Sequence, residues 1–133
     1  MKRRMLPRLA LAAIGLMTSS ASAHHASFPS TIEIEGLVGT TVDDYRYYGN
    51  VSSPKDCCVP GRTVKIISLT PEGPRLVDTD RTSRNGFWFG GGDFTPQGTT
   101  GTFGVRVRVL RRDIGRHGHH HVCRADSDSE PIA

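Results

Sequence analysis

The sequence has no apolar stretch long enough to cross a bilayer, no stretch with sustained helical periodicity, and no phosphate-loop, zinc-spacing or nucleotide-binding motif. A membrane span needs about 20 apolar residues in succession, and the apolar run from Leu9 to Met17 falls well short. A surplus of one charge is missing too, once the amino terminus is set aside. Of 17 basic residues, Lys2, Arg3, Arg4 and Arg8 lie at the start, whereas none of the 13 acidic residues does, so the remainder is balanced. The sequence pI of about 9.3 therefore describes the whole chain and gives no licence for a nucleic-acid footprint, which needs a basic face on the domain itself. Arg106, Arg108, Arg111 and Arg112 do cluster; the reading adopted is the solvated side of a strand, with a polyanion site as the alternative.

What is present begins with export. The basic start, the short apolar core and the small residues Ala21-Ser22-Ala23 make residues 1–23 a signal peptide, with cleavage expected before His24. No cysteine at the cut allows a lipid anchor, so the expectation is a free protein outside the cytoplasm, secreted or periplasmic, with no transmembrane segment. A mature chain over residues 24–133 can bury about 65% of the surface it exposes when unfolded, enough for a single domain.

Fifteen glycines and eight prolines suit short strands joined by tight turns. Strand signals recur at 32–38, 45–51, 62–69, 75–79, 87–89, 102–110 and around Val122. Turn chemistry separates them at Pro60-Gly61, Pro71-Glu72-Gly73-Pro74, Asn85-Gly86 and Gly90-Gly91-Gly92. About seven antiparallel strands in a sandwich follow. In "TFGVRVRVL", Val105, Val107 and Val109 point to one face and Arg106 and Arg108 to the other. Asn85-Gly86 suits a tight hairpin turn. Trp88, the single tryptophan, is expected as a core anchor.

An exported chain meets an oxidising compartment, so the three cysteines imply one disulfide and one thiol left over. Adjacent residues on an extended segment face opposite ways, so only one of Cys57 and Cys58 can look inward toward Cys123.

Four local patterns, in order, carry a resemblance. They are "YYGNVSSPKDCCVPGRTVKII", "TSRNGFW" with Thr82, Gly86 and Trp88, "GTFGVRVRV", and "VCRADSDSEPI" with Cys123, Ala125 and Ser127. Over residues 45–129 the chain resembles small exported bacterial β-sandwich domains of the transthyretin-like or carboxypeptidase-regulatory-like kind. The resemblance implies an immunoglobulin-like or transthyretin-like antiparallel sandwich and a Cys58–Cys123 bridge, since Cys58 stands where that pattern has its cysteine. Such a bridge would contribute about 4 kcal/mol through loop entropy. The resemblance also implies a non-enzymatic accessory role, binding a protein, peptide or glycan or associating with a surface. The hydrolytic branch of the transthyretin family ends in Tyr-Arg-Gly-Ser, and this chain ends in Glu130-Pro131-Ile132-Ala133. Ser83 stands in place of the pattern's acidic residue, and Cys57 is extra to it, which leaves a Cys57-linked dimer open.

No cofactor is required by this reading, but the histidines allow one. Cleavage after Ala23 would give His24 a free amine beside its imidazole, a pair that can bind Cu(II) with a later histidine, as in some exported copper-binding β-sandwiches that this arrangement resembles. His119 and His121 are the candidates, two apart on an extended run; the alternative is that "GRHGHHH" is an exposed loop before the last strand. Asp126, Asp128 and Glu130 read as a solvated acidic tail. No catalytic residues are assigned.

Overall fold

A computed structural model describes residues 25–95, 101–116 and 119–132; the expected signal peptide and His24 lie outside them. The described chain is all-β. Ten strands run in order: β1 His25–Phe28, β2 Thr31–Val38, β3 Tyr45–Ser52, β4 Thr63–Thr70, β5 Gly73–Arg81, β6 Phe87–Gly92, β7 Gly104–Val109, β8 Arg112–Arg116, β9 His119–Cys123 and β10 Asp126–Pro131. A short 3-10 turn, Asp56–Cys58, sits between β3 and β4.

Two sheets face one another. One is four-stranded in the order β10-β7-β4-β5, and the other three-stranded in the order β2-β3-β6; all pairings in both are antiparallel. Period-two patterning builds the core between them. In β4, Val64 and Ile66 point inward; in β7, Val105, Val107 and Val109 do so while Arg106 and Arg108 stay in water. Ile32, Tyr47, Val51, Trp88 and Phe94 complete a core in which no side chain exceeds 2% exposure. Trp88 is the anchor that its position suggested. Each such side chain contributes about 1.5–3 kcal/mol by leaving water.

A small third sheet, β1-β9-β8, joins the first described strand to the two strands before β10, and its β1–β9 pair is parallel. It was not foreseen. The described part of "GRHGHHH" is strand: Gly115 and Arg116 end β8, His119–His121 open β9, and Arg116 pairs with His119. Nor is the carboxyl-terminal stretch a solvated acidic tail, because Asp126–Pro131 pairs along the whole of β7. The expected count of about seven strands thus becomes ten. Gly86 takes φ +89°, as the turn reading required, yet the turn is no hairpin: it carries the chain from β5 in one sheet to β6 in the other.

The Cys58–Cys123 disulfide is formed, with the α-carbons 5.4 Å apart and both residues fully buried. It ties the 3-10 turn to the end of β9, joining the third sheet to the sandwich. Cys57 keeps a free, half-buried thiol.

Candidate binding faces

Four carboxylates that sequence gives no reason to single out close the two open sides of the sandwich. β2 and β6 each pair only with β3, so each leaves a row of backbone amides without a ladder partner. On one side the Asp126 carboxylate accepts from the Ile32 amide at 2.9 Å and that of Asp128 from the Ile34 amide at 3.0 Å. On the other, Asp80 accepts from the Phe89 amide and Asp78 from the Gly91 amide, both at 2.9 Å. Two Asp-x-Asp pairs, one on each edge strand of the four-stranded sheet, reach across to the other sheet. The i, i+2 spacing turns both carboxylates of a pair to the same side, and "DTD" and "DSD" were the only signal available.

Arg62 holds the disulfide end together. Its side chain is fully buried. One terminal nitrogen donates to Ser30 Oγ at 2.9 Å and to the Cys58 carbonyl at 2.7 Å. The other donates to the carbonyls of Leu110 at 2.8 Å and Arg124 at 3.1 Å; Nε has no acceptor among the described residues. Loss of hydration, and secondarily the neighbouring Arg112 charge, lowers the Arg62 pKa. The guanidinium nevertheless serves as a cross-brace among four chain segments. Arg112 donates alongside it to the carbonyls of Pro60 and Cys57. These contacts are structural: the buried cation is consumed by backbone carbonyls.

The outer face of β2-β3-β6 is different. Register sets Gly36, Tyr48 and Phe89 in one row and Glu33, Asn50 and Phe87 in the next. Alternation sends Trp88 into the core and leaves Phe87 and Phe89 outside, 44% and 42% exposed. Tyr48 and Phe87 stand 6.4 Å apart, tilted by 36°. The Tyr48 ring crosses Gly36, whose α-carbon could not carry a methyl without meeting the ring. Glycine there lets the ring settle against the sheet. Beside the rings, Asn50 donates to Glu35 at 2.9 Å. The result is a group of three aromatic side chains spread over two adjacent rows of the sheet, edged by amide and carboxylate groups.

The candidate metal ligands divide. His24 lies outside the described residues, while His119 and His121 both lie on β9. The parallel β1–β9 register places His25 opposite His120 and Ala26 opposite His121, so the two histidine segments share one sheet. The His121 ring meets the edge of Phe28 at 5.5 Å. Among the described residues, no group of three or more His, Cys, Asp or Glu side chains is placed to hold a metal ion. No helix among them is long and apolar enough to cross a membrane.

No family model, curated protein or solved structure matches the chain.

Proposed function

We propose that the chain is an exported, non-enzymatic β-sandwich module of the transthyretin-like or carboxypeptidase-regulatory-like type, and that it binds a carbohydrate chain through the outer face of β2-β3-β6. The observation that carries the reading is the group formed by the half-buried Tyr48 and the exposed Phe87 and Phe89, with Asn50, Glu33 and Glu35 along one side. Contiguous exposed aromatic surface on a rigid sheet marks an interaction site. Sugar rings present apolar C–H faces that stack on aromatic rings and hydroxyls that need amide and carboxylate partners, and this face offers both. The disulfide supports export, since such bonds persist in oxidising compartments. The family reading rests on the sequence resemblance and on the Cys58–Cys123 bridge it implied.

Titration calorimetry against a panel of neutral oligosaccharides tests this reading. Binding should weaken by about tenfold or more in Tyr48→Ala and in Phe87→Ala. Binding unchanged in both variants, or absent from the wild-type protein across the panel, would overturn it.

A second reading, a copper-binding protein using a mature amino-terminal histidine, is favoured by one observation: the β1–β9 pairing sets His25 beside His120. His24, His119 and His121 remain its candidate ligands. Copper titration followed by electron paramagnetic resonance, on tag-free protein beginning at His24, tests it; a spectrum unaltered by His24→Ala would reject it.

A further inference from the structure

The opposite outer face, that of β10-β7-β4-β5, has a charge distribution that the overall balance conceals. Register sets Thr79, Lys65, Arg108 and Ser127 in one row across the four strands and Leu76, Ile67, Arg106 and Ser129 in the next. Neither β4 nor β7 contains an acidic residue. The acidic residues of the two outer strands stand at the other parity. Asp78, Asp80, Asp126 and Asp128 are turned to the seams, where they accept amides of the facing sheet. Glu130 is near enough to Tyr47, a core residue, to raise its pKa. The same alternation that closes the sandwich thus draws these carboxylates toward the seams, Asp126 alone also bordering the cleft between β7 and β10. The ion pairs Arg46–Asp44 and Arg111–Asp113 involve none of Lys65, Arg106 and Arg108, and the two arginines are exposed.

These cations are arranged in a line. Arg106 and Arg108 are exposed and, as i and i+2 on one strand, lie about 7 Å apart. Each has a serine across the ladder, Ser129 and Ser127 respectively. Arg106, Arg108, Ala125, Asp126, Ser127 and Ser129 line a shallow open trough of about 530 Å³ along β7 and β10; the Asp126 carboxylate there accepts the Ile32 amide across the seam.

We propose that this trough binds a linear acidic polysaccharide, its carboxylate or sulfate groups on Arg106 and Arg108 and its hydroxyls on Ser127 and Ser129, with Lys65 adding long-range attraction. Guanidinium groups bind such oxyanions through paired charge-assisted hydrogen bonds. The trough itself favours this occupant over other polyanions. The exposed apolar side chain on this face, Leu76, lies over β5, away from the trough, so the serine-lined track has nothing to insert into a lipid layer. The exposed aromatic rings Phe87 and Phe89, which could stack nucleic-acid bases, belong to the other sheet. This site is independent of the aromatic face, and either stands without the other.

The test uses the whole exported protein with polygalacturonate and dextran sulfate as probes. Neutral dextran, equimolar phosphatidylglycerol–phosphatidylcholine vesicles and a single-stranded oligonucleotide serve as comparisons. The acidic polysaccharides should bind, more weakly as salt rises, whereas any binding of neutral dextran should depend neither on salt nor on Arg106 and Arg108. Arg106→Ala with Arg108→Ala should weaken binding about tenfold or more, while Arg111→Ala, which removes a cation from a solvent-exposed ion pair outside the trough, should leave it unchanged. Arg106→Gln with Arg108→Gln repeats the loss while keeping the aliphatic stems, and an unaltered melting midpoint separates lost binding from lost fold. Failure of both polysaccharides to bind, full binding by the double variants, or vesicles or oligonucleotide binding as tightly as the polysaccharides would each overturn the proposal.

Discussion

Asp128 accepts the backbone amide of Ile34 at 3.0 Å across a separation of 94 residues, one of four contacts by which carboxylates stand in for the missing strand partner of an edge. An edge strand with free amides invites pairing with another chain. Here two amides on each of β2 and β6 are occupied by carboxylates, which a pairing chain would have to displace.

Replacing Asp126 and Asp128 together by alanine should destabilise the fold by about 2–4 kcal/mol, on the order of 1–2 kcal/mol for each charge-assisted bond lost. Hydrogen exchange should quicken at Ile32 and Ile34 before it does at Val64 or Val107. Equal exchange at the four amides in variant and wild type would show that the carboxylates do not protect the edge.

Arg62 makes a second prediction. Arg62→Lys keeps the charge but replaces a planar fork that reaches four acceptors with a single ammonium. It should cost about 2–4 kcal/mol, measured by urea unfolding with the disulfide intact, and Arg62→Ala should cost at least as much. A lysine variant as stable as wild type would mean that the fork geometry is not what matters.

Much of this architecture was legible in the sequence, and the omissions have a common cause. The strands with alternating apolar residues, such as β4 and β7, announce themselves because burial on one face imposes period two. The disulfide was legible because a family pattern singled out Cys58 over Cys57. β10, "DSDSEP", has the same period but carries its inward signal on aspartates. A pattern search that looks for apolar residues passes over it. β9 was signalled only around Val122; β8 and the histidines of β9 carry no strand pattern, and their pairing with each other and with β1 makes them strand. The aromatic face was half visible: alternation in Phe87-Trp88-Phe89 required one side to be wet, but its alignment with Tyr48 depends on register between β3 and β6, which no local pattern fixes.

Tyr47 gives a pH dependence. Burial chiefly, with the charges of Glu130 and Tyr45 adding to it, raises its pKa from 10.0 to about 12. The folded state therefore keeps the phenolic proton through a range in which the unfolded chain releases it. Stability should be unaffected by this group below about pH 10 and should fall as pH rises from about 10 to about 12, by up to about 3 kcal/mol. Comparing the pH dependence of the melting midpoint with that of Tyr47→Phe checks the assignment; the variant should lose that part of the alkaline decline, and an identical decline in both would contradict it.

Gly36→Ala separates binding from folding. The added methyl would meet the outer atoms of the Tyr48 ring, which can swing away, and not the backbone. Stability should change by less than about 1 kcal/mol, while the ring is displaced from the row. Affinity for a carbohydrate ligand should drop about tenfold. Wild-type affinity in this variant would show that the seat of Tyr48 on Gly36 is immaterial to binding.

The most direct test of the central claim is a map of the binding surface by amide chemical shifts, recorded while an oligosaccharide ligand is titrated into the isotope-labelled protein. Saturable shifts should concentrate on the outer face of β2-β3-β6, at Gly36, Tyr48 and residues 87–89. Shifts confined to the β1-β9-β8 sheet, or spread over the surface without saturating, would contradict the assignment of that face as the binding site.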